Sequence, residues 1–227
     1  MNPILQKQPA YDVAVGQVAR NKVLRNTFWL LTLSMIPTVL GAYIGVATGF
    51  AMRGGMGIVL FLAIIFGFIF AIEKTKESGL GVAFLLGMTF FMGLMLGPLL
   101  THTLGYRNGG QLIMTAFGGT AVVLAVMASI ATTSKRDFSG MGSWLTAGVI
   151  VLLLAGVANI FLQISALSIV FSVLAIGIFS AFILYDVQRI MNGGETNYIT
   201  ATLSIYLDVY NIFSNLLALL GLGGSRD

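Results

Sequence analysis

An all-α membrane protein, a bundle of seven transmembrane helices with the C-terminal helix at its centre, is the fold that three observations predict. Of the 227 residues, 57% are hydrophobic and only 9% charged, and the mean hydropathy is +0.95. A soluble domain carries roughly a quarter charged residues, so this chain lacks the surface that water demands. Seven apolar stretches follow one another, separated by short polar turns. In the last of them, residues 199–222, Ser204, Asp208, Asn211 and Asn215 recur at offsets of 4, 3 and 4. That spacing puts all four on one face of a helix. A polar stripe is costly against lipid, so this helix is expected among other helices or beside a wet cavity.

Taken in order, residues 1–26 are polar and carry Lys7, Arg20, Lys22 and Arg25. They read as a tail able to run extended into solvent. The first apolar stretch, 27–48, is too long for a cleavable signal core and is followed by further spans, so it reads as a retained helix. Gly41, Gly45 and Gly49 repeat along it every four residues, a small-residue face for helix packing. The second span, 57–72, stops at Glu73-Lys74-Thr75-Lys76-Glu77. The third, 79–104, holds Pro98, which predicts a tilt or kink. The fourth, 111–133, ends at Lys135-Arg136-Asp137, and the fifth covers 142–162. The sixth, 166–190, is joined to the seventh by a polar turn, 192–197. Trp29, Trp144 and Tyr198 fall near span ends and read as interfacial anchors. Gly118-Gly119 reads as a close-packing pair. The whole is one domain, 27–222, with a short tail at 223–227.

Basic residues set the expected orientation. Nine of the twelve lie in the N-terminal tail or after spans two, four and six; Arg53, Arg107 and Arg226 lie on the other side. The positive-inside rule then places the N-terminus in the cytoplasm and the C-terminus outside. A six-span alternative, in which the last segment only dips into the bilayer, stays open because Asp208 lowers its hydropathy. Topology accounts for the net charge of +4, so nucleic acid is not an expected partner; the lipid bilayer is. The chain has no cysteine, which excludes disulfides, thiolate catalysis and cysteine metal sites.

Of eight acidic residues only Asp186 and Asp208 fall inside spans. From the same side they lie about 7 Å and about 12 Å deep at 1.5 Å per residue. The two helices are joined by a short turn, so the carboxylates can meet. Adjacent carboxylates in low dielectric would share one proton and titrate as a unit, which suits a pH sensor or gate. Two plainer readings stand beside this one. Asp186 pairs with Arg189 three residues on, or Asp208 hydrogen-bonds to a tyrosine such as Tyr206 or Tyr210 or to a serine. Lys74 and Lys76 are further candidate charge partners. Asn159 and Gln163, one turn apart at the end of span five, line an outer vestibule or join helices by hydrogen bonds.

The run AFILYDVQRIMNGGETNYITATLSIYLDVYNIFSNLLALLG, residues 181–221, resembles the C-terminal signature of the transmembrane Bax-inhibitor family. KVLRNTFWLL at 22–31, GVANIFLQ at 156–163 and the final Ser225-Arg226-Asp227 are similar to its bacterial, YccA-like branch. The resemblance implies a seven-helix bundle with a central last helix in the bacterial inner membrane. It implies a non-enzymatic protein that binds and restrains an FtsH-type ATP-dependent membrane protease. It further implies a proton-sensitive calcium leak, with Asp186 and Asp208 as the paired aspartates of helices six and seven. Channel-type members carry an arginine near the end of span two, where this chain has Glu73, Lys74 and Lys76. Calcium prefers six to eight oxygen ligands, so two carboxylates imply weak, transient binding; no other cofactor is expected, and the chain is a monomer or an oligomer of unspecified order.

Intramembrane aspartyl proteases also carry one aspartate on each of two helices, the first after a tyrosine, as in Tyr185-Asp186. Their Gly-x-Gly-Asp motif is replaced here by Ile205-Tyr206-Leu207-Asp208, and none of the four prolines opens a Pro-Ala-Leu motif. His102, the one histidine, lies near the end of span three, away from any strong nucleophile, and reads as interfacial.

Overall fold

A computed structural model describes residues 8–52 and 54–222. The expectations on residues 1–7, Arg53 and residues 223–227 lie outside the described residues. Seven helices follow one another: α1 (Gln8–Thr48), α2 (Gly54–Thr75), α3 (Gly79–Leu104), α4 (Gly109–Thr133), α5 (Gly142–Leu162), α6 (Ser165–Met191) and α7 (Tyr198–Leu222). A short 3₁₀ turn, Ser139–Met141, precedes α5. All seven helices contain a stretch long and apolar enough to cross a membrane. The protein is a multi-pass membrane protein.

Two elements differ from the sequence expectation. Residues 8–26, expected as an extended tail, continue α1 as helix, which makes that helix 41 residues long, or about 60 Å at 1.5 Å per residue. Residues of low helix propensity such as Gly16, Val18 and Asn21 do not stop it, because nucleation is already supplied by the packed turns that follow. The second difference concerns small residues. Gly49 does not extend the packing face; with φ of +66° it follows Thr48 and ends the helix in the left-handed conformation. Helix α3 runs unbroken through Pro98.

The tightest seam joins α1 to α3. A Cβ on Gly41 would lie 2.1 Å from the Phe90 carbonyl oxygen, and one on Gly93 would lie 2.1 Å from that of Thr38. Gly45 and Gly97 face each other in the same way one turn along. Here backbone meets backbone, so no side chain can yield. Gly118 has open space around it, against the close-packing expectation, because α4 turns that face outward.

Helix α7 lies at the centre, packed against α1, α2, α3, α4 and α6, whereas α5 packs on α6 and the 3₁₀ turn. The core is a continuous apolar cluster in which Leu85 and Met88 of α3, Ile183 and Val187 of α6, and Ile205 and Ile212 of α7 are fully buried. Large apolar side chains cover the outside, among them Phe66, Phe70, Val122, Leu154 and Val173. Such a surface suits lipid rather than water. Trp29 and Trp144 are exposed. Tyr198 instead packs against the core cluster.

Gly41→Ala or Gly93→Ala is expected to separate α1 from α3 and lower stability by about 1–3 kcal/mol, the usual cost of overpacking. Gly118→Ala should be neutral or slightly stabilising, since alanine favours helix. Thermal unfolding of the purified variants in one detergent checks both.

Candidate functional site: a carboxyl pair beneath a polar cleft

Helices α6 and α7 run antiparallel, joined by the turn at 192–197. Their pairing brings Asp186 and Asp208 within hydrogen-bonding reach of one another. Asp208 is only 5% exposed. No N–H or O–H donor of the described residues reaches its Oδ2, and the side chain that meets its carboxyl is that of Asp186. A hydrogen bond between two carboxyl groups requires a proton on one of them. The arrangement can therefore hold and release a proton, and with it change the charge at the centre of the bundle.

Above Asp186 the protein opens in two steps. A narrow crevice lined by Asp186, Arg189, Ile190, Glu195, Ala201 and Ser204 leaves no room for a water molecule. It leads, through Arg189, Glu195 and Ser204, into a polar cleft of about 370 Å³. Glu73 in the last turn of α2 and Lys76 just beyond it form one wall of the cleft, and Arg189, Glu195, Thr200 and Ser204 form the other. The ring of charge is internally paired. Lys76 bonds Glu73, which with the nearby Glu195 and Glu77 holds its ammonium above the usual lysine range. Arg189 pairs with Glu195 at 3.9 Å, and its Nε donates to the Gly194 carbonyl at 3.2 Å.

This geometry decides between the plainer readings. Arg189 lies within electrostatic reach of Asp186, but its ion pair is with Glu195. Tyr206 and Tyr210 do not serve Asp208. The Tyr206 hydroxyl lies 2.9 Å from Thr38 Oγ1 and donates to the Thr89 carbonyl at 3.3 Å, while that of Tyr210 donates to the Met92 carbonyl at 3.3 Å. Both tyrosines tie α7 to the α1–α3 pair, on the helix face away from α6. Lys74 does not line the cleft; its ammonium sits 4.7 Å from the Phe70 ring centroid.

The polar stripe of α7 divides into two parts. Ser204 and Asp208 face the crevice and the partner carboxyl. Asn211 and Asn215 are half-buried and donate back to carbonyls one turn earlier, those of Leu207 and Asn211, each at 2.8 Å. They satisfy themselves on their own helix rather than bridging to another. At the far end of the bundle Asn159 donates to Ser168 Oγ at 3.0 Å and accepts from the Ile164 amide at 3.1 Å, so it closes the α5–α6 turn. Gln163 takes a left-handed φ of 52° at that turn. His102 meets the Tyr106 ring edge-on, centroids 5.4 Å apart.

Three further residues order the site through hydrogen bonds to backbone far away in the chain. Gln188, the residue before Arg189 and only 6% exposed, donates to the Arg136 carbonyl at 2.6 Å and accepts from the Phe138 amide at 2.5 Å. It fastens the α4–α5 loop to α6. Arg20 of α1 donates to the Met191 carbonyl at 3.2 Å, where the carbonyl end of α6 attracts a cation. Asn197 begins α7: its Oδ1 accepts from the amides of Ile199 and Thr200 at 2.8 and 3.3 Å. Its Nδ2 donates across the cleft to the Lys76 carbonyl at 2.9 Å and to Glu77 Oε1 at 3.1 Å.

Residues 20–226 match the family described as "Inhibitor of apoptosis-promoting Bax1". The chain is 40% identical over 210 residues to the "Modulator of FtsH protease YccA" of Escherichia coli K12, covering 92% of this chain and 94% of that protein. In another E. coli strain the protein matched to the same degree is named "Inner membrane protein YccA". An uncharacterised protein of Neisseria meningitidis is 36% identical, with 92% of this chain and 95% of that one covered. The central last helix, the paired carboxyls and this likeness over nearly the whole length lead to one conclusion: the chain belongs to the Bax1-inhibitor family of multi-pass membrane proteins.

Proposed function

We propose that this protein is an inner-membrane partner of an FtsH-type ATP-dependent protease, which it binds and whose access to other membrane substrates it limits. The observation that carries the reading is the 40% identity, over 92% of the chain, to an E. coli protein named as a modulator of that protease. That relative is named as a modulator and not as a protease, which favours a non-enzymatic role here as well. In this reading the N-terminus and the polar cleft face the cytoplasm, as the distribution of basic residues favours. Helix α1 then projects from the membrane on the side where an ATPase ring would engage it, and its residues 8–26 precede the apolar segment at 27–48, roughly 28 Å of helix.

The test is co-reconstitution with an FtsH-type protease and a third membrane substrate. The full chain should co-purify with the protease and slow degradation of the substrate several-fold. Deletion of residues 2–20 should remove both effects. Unchanged degradation in the presence of the full chain would reject the reading; co-purification that survives the deletion would move the contact away from α1.

A second activity is favoured by one observation, the contact between Asp186 and Asp208 beneath the polar cleft. The pair would act as a proton-sensitive gate for a cation leak, with calcium as the passing ion rather than a resident one. Two carboxyl groups offer few of the oxygens that calcium prefers, which suits transient passage. Asp186 is faced by Asp208 from α7, by Arg189 from its own helix and by Glu195 from the turn, so the charge at the gate depends on all four. Calcium flux into liposomes should vary with pH for the wild type and become pH-independent in Asp186→Asn and Asp208→Asn. A wild-type pH profile preserved in both variants would sink this reading. The two activities are compatible, since a gate and a docking surface can share one bundle.

A further inference from the structure

We propose that Asn197 is a positioning residue that clasps the two walls of the polar cleft to each other above Asp186, and that releasing its side-chain amide opens the crevice to water and ions. The opening onto Asp186 rests on the gate reading above; the clasp itself does not. Helix α2 leans on α3 and touches α7 only slightly, without appreciable packing on α6. The cleft separates its end from the α6–α7 turn. Among the described residues, two hydrogen bonds span that separation, and both come from Asn197 Nδ2.

The chemistry of this one side chain is divided cleanly. Its oxygen faces two N–H donors and its nitrogen faces two acceptors, so each half of the amide does a different task. The oxygen caps α7, the usual role of asparagine at this position. The nitrogen holds the other wall, through the Lys76 carbonyl and the Glu77 carboxylate. The backbone of Asn197 adds a third anchor: its amide donates to Glu195 Oε1 at 2.9 Å. The clasp is thereby joined to the acid that pairs with Arg189 on the crevice rim.

This division allows the two tasks to be separated. Asn197→Asp and Asn197→Ser both retain an oxygen able to cap the helix. Neither offers the amide donor, and N197D further sets a carboxylate against Glu77. Adding Glu77→Gln to N197D supplies a donor from the opposite wall, facing the new acceptor. Because the natural chain has no cysteine, spin labels can be placed by Lys74→Cys and Thr196→Cys in the otherwise unaltered full chain. Pulsed electron resonance in lipid nanodiscs should show N197D and N197S shifted to longer distances than the parent, with E77Q drawing N197D back. An unchanged distance distribution in N197D and N197S would overturn the clasp, as would failure of E77Q to narrow N197D. Longer distances accompanied by an unaltered calcium flux would leave the clasp standing and reject the gate beneath it.

Discussion

A carboxyl group carried into the middle of an apolar bundle constrains everything packed around it. An aspartate at the centre of a membrane helix costs about 2.5–3.5 kcal/mol on insertion scales, and more if it must face hydrocarbon as a charge. The helix that bears Asp208 is accordingly enclosed by five others, and the group that meets its carboxyl is another carboxyl. That choice of partner is informative. A lysine or arginine would have neutralised Asp208 permanently, whereas Asp186 makes its comfort depend on one proton.

The surrounding contacts divide into a rigid part and a loose part. On one side α7 is tied to α1 and α3 through Tyr206, which meets Thr38 and the Thr89 carbonyl, and through Tyr210, which donates to the Met92 carbonyl. The α1–α3 seam itself is backbone against backbone, so that side is a fixed frame. On the other side α2 meets the α6–α7 end across an open polar cleft. Motion is most readily placed where few apolar contacts must be broken. Asp186 lies between the frame and the cleft, beneath charges that are paired with each other rather than with it.

This layout also relates the two proposed activities. The carbonyl end of α6 is gripped by Arg20, from the part of α1 that precedes the apolar segment. The same turn carries Glu195 and Asn197. A partner that engages α1 therefore acts on an element two residues from the crevice rim, which gives protease binding and the carboxyl pair a common mechanical neighbour.

Fold class, seven spans and the central position of the last helix were all legible in the sequence, because each follows from hydropathy and from a 3.6-residue period that needs no knowledge of neighbours. The pairing of Asp186 with Asp208 was legible as a juxtaposition of depth, since both are measured from one short turn. Helix rotation is what composition leaves undetermined, and only the tertiary structure decided it. Packing turned Asp208 toward α6 and its neighbours Tyr206 and Tyr210 away from it, and left Asn211 and Asn215 bonded to their own helix. The continuation of α1 to Gln8, the end of its small-residue face at Gly45, and the clasp and fastenings made by Asn197, Gln188 and Arg20 depend on backbone atoms far apart in the chain. No local pattern encodes a hydrogen bond to a distant carbonyl, because every residue carries one; which of them comes within reach is settled by how the helices pack.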